Sequence, residues 1–303
     1  MDSTHTDYAK IASASIASAA INCSEPMDIH IVTLKEDKGQ SKTIEDIREF
    51  ISMHGCELIL HEVDVSELDI SPEKMDHIGT LLRLLVPDIL DSDRVIYLDC
   101  GLAINLDLKE MWDLDLQGKS IAGSVDEGIS GTYSKSQIRK IIGGDTDYLN
   151  AGVLVMDLKK IREKHDLFNE SLDYLDTHPK ARMYDQDALN HIFLKDKLTI
   201  DRKYNRIASS VTTEEGFENK IIHFTGKKPW KVMRSDVYDE YWRYFLMMPW
   251  MSDPQECWRW TKDVVDNRTL PDTLGEHGKV VAMTKMFYRA MKLRLLHEIG
   301  AKR

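Results

Sequence analysis

Four short stretches of this chain carry side chains able to bind or polarise a ligand. In Tyr97-Leu-Asp-Cys-Gly101 an apolar strand runs straight into Asp99, which puts that carboxylate at the strand's carboxyl end. Ligands of open α/β sheets bind at that edge, although Asp also serves as a turn or cap residue. Tyr148-Leu-Asn-Ala-Gly-Val153 enters a strand through a polar turn, and Tyr184-Asp-Gln-Asp187 opens a helical pattern. Acids in that last position are equally what a helix N-terminus favours. His223 lies in the apolar run Lys220-Ile-Ile-His-Phe224 and is followed by Gly226, Lys227 and Lys228. Singly, the imidazole reads as a core residue as well as a ligand, and the lysines as a solvated pair.

The elements that must hold these residues follow from periodicity. Ala9 to Ile21 reads as a packed helix, Asp28 to Leu34 as a β-branched strand, Ile44, Ile47 and Ile51 as one helix face, and Glu57 to Val63 as a strand. A helix over 80–90 and a strand over Arg94 to Leu98 continue the alternation, which predicts a mainly parallel sheet covered by helices. Tyr148 to Met156 and 220–224 read as further strands, and 158–175 and 185–193 as helices. Such a pattern normally opens on a strand, yet here a helix stands almost at Met1.

With 303 residues, 42% of them hydrophobic and 30% charged, the chain is long enough for a sizeable core. Forty basic against 51 acidic residues give a net charge of −11, which argues against a nucleic-acid partner, since phosphate neutralisation supplies most of that affinity. No apolar run approaches a bilayer span and no signal peptide is evident, so the reading is cytoplasmic. The four cysteines form no C-x-x-C pair.

Taken in order, Arg83, Arg94 to Gly101, Met111-Trp-Asp-Leu-Asp-Leu116, Tyr148 to Val153, Tyr184-Asp-Gln-Asp-Ala-Leu-Asn190 and His223-Phe-Thr-Gly-Lys-Lys-Pro-Trp230 resemble glycosyltransferase family 8, and most closely its bacterial lipopolysaccharide galactosyl- and glucosyltransferases. The resemblance implies a GT-A fold, a Rossmann-like α/β architecture. It implies a UDP-hexose donor, Mn²⁺ with Mg²⁺ as the alternative, a saccharide or glycolipid acceptor, and transfer with retention of configuration. Asp99 then matches the first Asp of the family's D-x-D motif, and Asp99 and His223 match metal ligands. Gly226 and Lys228 match the diphosphate-binding pair, Asn150 and Ala151 the donor-sugar contacts, and Asp185 with Gln186 the catalytic pair beside the anomeric carbon. Arg83 matches a donor-binding arginine, Asp126 a site carboxylate, and Tyr8 an aromatic near the uracil. The chemistry is coherent: a departing UDP gains negative charge, which a divalent cation and the Lys228 ammonium would stabilise. Carboxylate oxygen suits Mg²⁺ or Mn²⁺, and an imidazole tilts the choice toward Mn²⁺.

Two departures qualify that match. The second Asp of D-x-D is Gly101, which supplies no side-chain ligand; Asn105 or Asp107 would have to fold back to replace it, or water fill the place. The amino-terminal strand, whose end helps form the family's uracil pocket, has no counterpart in the expected pattern, so either it is missing or the register starts late. Both support an alternative reading as a non-catalytic sugar-nucleotide-binding or chaperone-like partner. The expected division is a catalytic domain over 1–245 and a tail over 246–303, which holds Trp250, Trp258 and Trp260 and a basic amphipathic helix over 280–303. That helix reads either as docked on its own domain or as a peripheral anchor to anionic lipid at the inner membrane face.

Overall fold

The computed structural model describes residues 8–35, 41–75, 77–226, 228–230, 236–257, 259–260, 288, 291–292 and 295. Helix α1 (Tyr8–Asn22) is buried on nearly every side, and its serines bond backbone groups of residues 100–104. Ser15 Oγ accepts from Leu102 N at 2.9 Å and donates to Cys100 O at 2.6 Å, and Ser18 Oγ accepts from Ile104 N at 3.0 Å. Small residues let α1 come this close, and the hydroxyls supply partners that buried backbone groups require.

Next come β1 (Asp28–Leu34), α2 (Ser41–Ser52) and β2 (Glu57–Val63), with β1 and β2 parallel as the crossover demands. The helix expected over 80–90 is instead three short pieces, Ile78–Leu81, Leu82–Leu85 and Val86–Ile89, the last accommodating Pro87 near its start. Likewise 158–175 divides into α3 (Leu158–Lys164) and α4 (Leu167–Thr177), because the Asp166 side chain caps a new helix. The helix α5 (Asp185–Ile192) agrees with expectation, and α6 (Asp236–Phe245) follows.

The sheet is not mainly parallel. Strands β3 (Arg94–Leu98), β5 (Ile121–Val125), β6 (Leu149–Asp157) and β7 (Lys197–Ile200) form one sheet in the order β3-β6-β5-β7, and β6 runs against both β3 and β5. A smaller sheet holds β4 (Leu102–Ile104), β9 (Ile221–His223) and β8 (Arg206–Ile207) in the order β4-β9-β8, with β4 and β9 antiparallel. The alternation that pointed to parallel pairing covers only the first hundred residues; beyond it, strands of three residues or fewer lack a readable period.

Among the described residues no strand precedes α1. The β1–β2 pair and the four-stranded sheet are separate, and between β1 and β3 lies a cavity of about 610 Å³. Ala12, Ser15 and Ile16 of α1 line it on one face, and Leu82, Val86 and Leu90 on the other. Past α6, Met248, Trp250 and Met251 are buried in the same core as α1, α2 and Phe224. Most of 280–303 lies outside the described residues; Tyr288, Met291 and Leu295 are exposed, and Tyr288, Met291, Lys292 and Leu295 are helical.

Candidate active site

Antiparallel pairing is what assembles the site. Because Leu98 pairs with Val153, the amino end of β6 lies beside the carboxyl end of β3, and Asp99 N donates to Gly152 O at 2.8 Å. Because Leu102 pairs with His223 and Phe224 N donates to Gly101 O at 2.9 Å, the histidine arrives at the same corner. Parallel β8 sets Ile207 against His223, which brings Asn205 in below it. Asp126 N donates to Tyr148 O at 2.9 Å and places that carboxylate beside Asn150.

Arg83 is the hub. Its guanidinium donates to Asp99 Oδ1 at 3.0 Å and to Ala151 O at 2.6 Å, and its Nε lies 2.8 Å from Asp185 Oδ2. It also lies 4.8 Å from the ring centre of Tyr97, whose hydroxyl donates to Asp99 Oδ1 at 2.9 Å. Burial pushes Asp99 upward, but the Arg83 guanidinium above all, with the Tyr97 hydroxyl, outweighs it and holds the carboxyl well below its usual range. For Asp185 burial wins over Arg83, and nearby Asp99 adds to it, so that carboxyl is pushed up to about 6. One cation thus faces two acids with opposite tendencies.

The second assembly is a run of amides. Gln186 Nε2 and Asn150 Nδ2 both donate to Asp126 Oδ2 at 2.9 Å, and Gln186 Oε1 accepts from Ala151 N at 2.9 Å. Asn205 Nδ2 donates to Asn150 Oδ1 at 2.9 Å, and Asn205 Oδ1 lies 3.0 Å from His223 Nδ1. His223 Nε2 then lies 3.5 Å from Asp99 Oδ2. All of these but Asp99 are buried.

Asp185 and Gln186 are aimed by an unusual turn. Tyr184, immediately before α5, has φ 51° and ψ −113°, a backbone conformation that costs a non-glycine residue strain. Asp187 holds the turn: its carboxylate accepts from Met183 N at 3.0 Å and from the Tyr133 hydroxyl at 2.7 Å, and also bonds the Tyr148 hydroxyl.

Of the residues singled out in the sequence, Arg83, Asp99, Asp126, Asn150, Ala151, Asp185, Gln186 and His223 form one connected network. Lys228 lies beside it: its Nζ donates to Phe224 O at 3.1 Å and is 4.0 Å from where a Cβ on Gly101 would stand. Gly226 has φ 73°, a conformation that favours glycine, in the loop between His223 and Lys228. Tyr8, 63% exposed at the start of α1, shares no hydrogen bond with the network. Asn105 and Asp107 are committed elsewhere: Asn105 bonds Phe217 O and Glu240, and Asp107 caps the helix Leu108–Trp112.

Two residues escaped the sequence reading. Gly152 is essential to the corner, since a Cβ there would lie 2.1 Å from His223 Cε1 and 2.9 Å from Asp99 Oδ2. Its only sequence signal is its place after Asn150 and Ala151. Asn205 gave none, because an Asn before a short strand reads as a turn residue.

The donor set fits a divalent cation held in part by the protein. An ionised carboxylate oxygen and an imidazole nitrogen face each other 3.5 Å apart, with the other imidazole nitrogen braced by Asn205. Among the described residues no group of three His, Cys, Asp or Glu converges, so further ligands would come from phosphate and water, as Mg²⁺ commonly takes them.

The model of glycosyl transferase family 8 matches residues 3–234. The chain belongs to this family. A probable glycosyl transferase, Gly, of Streptococcus gordonii is 29% identical over 221 residues, covering 68% of this chain and 30% of that protein. General stress protein A of Bacillus subtilis (strain 168) is 26% identical, covering 65% of this chain and 75% of its own length. The match thus spans about a third of the streptococcal relative. Among solved structures, the galactosyltransferase LgtC in complex with donor and acceptor sugar analogues superposes with a TM-score of 0.63 at 22% identity, over 82% of this chain and 94% of LgtC. The bifunctional glycosyltransferase WbbM gives 0.66 at 20%, over 85% of this chain and 50% of that one. The fold is GT-A. Family members generally use nucleotide-sugar donors and divalent metals.

Proposed function

We propose that the chain is a retaining hexosyltransferase, moving a glucose- or galactose-type sugar from a UDP-sugar to a saccharide or glycolipid acceptor, as in lipopolysaccharide or surface-glycan synthesis. The observation that carries this reading is the single network running from Gln186 through Asp126, Asn150, Asn205 and His223 to Asp99 and Arg83. Asp99 and His223 would hold Mn²⁺, or Mg²⁺, which when bound neutralises the diphosphate's negative charge. Lys228 supplies a second positive charge at the same corner, and Gly226 allows the loop to turn toward it. Arg83 orients Asp99 and Asp185 against each other. Asp185 and Gln186 position the donor sugar; Gln186 is neutral and has both ends of its amide engaged, so it is no nucleophile, and a front-face transfer assisted by the leaving phosphate needs none. Tyr8 closes the uracil side. The basic segment 280–303 brings the enzyme to an anionic membrane face, which sedimentation with anionic vesicles before and after its deletion tests.

The deciding measurement is thermal stability with UDP in excess Mn²⁺ or in EDTA. Ligand at about 100 times its dissociation constant adds roughly 2.7 kcal/mol, a shift of several degrees at this size. The expected shift requires Mn²⁺, is lost in Asp99→Ala and His223→Ala, and is followed by transfer from UDP-glucose or UDP-galactose. No shift in either condition overturns the reading in favour of the non-catalytic one, which the Gly101 departure motivates.

A further inference from the structure

The amide run has a direction fixed by its one charged end. Asp126 is a carboxylate whose Oδ2 accepts from Asn150 and Gln186 while its Oδ1 accepts from Gly128 N at 2.8 Å. An ionised carboxylate only accepts, so Asn150 must turn its amino group toward Asp126. Its carbonyl oxygen then faces away and accepts both from Gly152 N and from Asn205 Nδ2, each at 2.9 Å. Asn205 is thereby also fixed: having donated its amino group, it presents Oδ1 to His223 Nδ1 at 3.0 Å, an oxygen that only a protonated Nδ1 can satisfy. The flip of each amide is settled by the network rather than assumed. The result at the far end is an imidazole with its proton on Nδ1 and its lone pair on Nε2, aimed at Asp99 Oδ2 3.5 Å away. Two electron-rich atoms face each other, one on a buried imidazole and one on a half-buried carboxylate, an arrangement that a cation between them relieves.

We infer that Asn205 is a positioning residue for the metal corner: with Asp126 and Asn150 it forms a polarised relay that sets the His223 tautomer, so that Nε2 is available as a ligand beside Asp99. The same relay ties the metal side of the site to Gln186 on the donor-sugar side through one shared carboxylate oxygen. This rests on the metal-dependent reading above. It adds that the ligand geometry is set by a residue that acts through His223 rather than as a ligand itself. Fixing a ligating histidine by an outer partner is worth about 10–100-fold in metal affinity in known sites.

The test uses the full chain, ¹⁵N-labelled and metal-free at pH 8, with long-range ¹H–¹⁵N correlation of the histidine rings to read the tautomer. Mn²⁺ affinity is measured separately by the electron paramagnetic resonance signal of free ion. In the wild type His223 shows the Nδ1–H tautomer. Asn205→Leu, which removes the acceptor, shifts it toward Nε2–H bonded to Asp99 and weakens Mn²⁺ about 10–100-fold. Asn205→Asp keeps an acceptor for Nδ1–H but gives up the donor to Asn150 Oδ1, so it keeps the tautomer and holds Mn²⁺ more tightly than the Leu variant does; it decides the matter should the Leu variant fail to fold. A wild-type ring with Nε2–H, or protonated on both nitrogens, overturns the inference, as does an Asn205→Leu variant with unchanged tautomer and affinity. The expected tautomers with no Mn²⁺ binding in any variant uphold the relay and overturn the metal reading on which the ligand role rests.

Discussion

Gly152 and Gly101 lie at the same corner and make opposite predictions. At Gly152 a methyl group would stand 2.1 Å from His223 Cε1 and 2.9 Å from Asp99 Oδ2, contacts that real Cβ atoms do not make. Gly152→Ala therefore pushes the two candidate ligands apart. Transfer should fall by at least about 100-fold, as misplacement by about 1 Å costs, in steady-state rates compared at matched folding. At Gly101 the nearest atoms to an added Cβ are Phe224 O and Trp230 Cη2 at 3.8 Å and Lys228 Nζ at 4.0 Å, ordinary contacts. Gly101→Asp should be accommodated and should strengthen Mn²⁺ binding; calorimetry showing unchanged or weaker binding would mean the place is filled from elsewhere. Asp99 and His223 were legible because their types and order carry the family pattern. Gly152 and Asn205 were not, because what makes them functional is a distance to residues 53 and 18 positions away in sequence, set by strand register.

At the scale of elements, α5 is held against β6 by two side chains, Gln186 on Ala151 N and, further along, Asn190. Asn190 Oδ1 accepts from Leu149 N and its Nδ2 donates to Leu149 O, both at 2.8 Å, so the amide imitates a neighbouring strand. Behind it, buried Lys197 donates to Asn190 Oδ1 at 2.8 Å. Burial, opposed only weakly by Asp147, lowers Lys197 from 10.5 to about 8. The folded state thus releases this proton more easily than the unfolded chain. The cost of burying the charge is full below about pH 8 and is relieved as pH rises toward 10.5. Relative to Lys197→Met, wild-type stability should rise between about pH 8 and 10 by roughly 1.4 kcal/mol per unit at most, and stay level below; urea unfolding at pH 7, 8.5 and 10 reads it. The helical character of 185–193 was legible from its period, but its clamp on β6 was not. The same holds for the antiparallel course of β6, since a nine-residue apolar strand reads alike in either direction.

Taken whole, the molecule divides its core unevenly. One cluster joins α1, α2, α6 and the segment Leu246 to Met251, while a second lies between the four-stranded sheet and helices α3 to α5. Asp99, Arg83 and His223 stand where these halves meet. A cavity lies between β1 and β3, lined on one side by α1. Among the described residues, strands β1 and β2 pair with each other and not with the strands of the sheet that carries the site. Their anchorage is side-chain packing, through α1 and α2 on one side and through Val32 and Val63 against the second cluster on the other. Such a unit opens on its own: amides of β1 should exchange with deuterium at lower protection than those of β6, which is paired on both sides. Equal protection would mean that the two sheets unfold together. In the first case the protein has two melting units, coupled by α1 and by the packing of Val32 and Val63, and a mutation at Ser15 or Ser18 would change cooperativity, seen as a broadened transition, before it changed the chemistry.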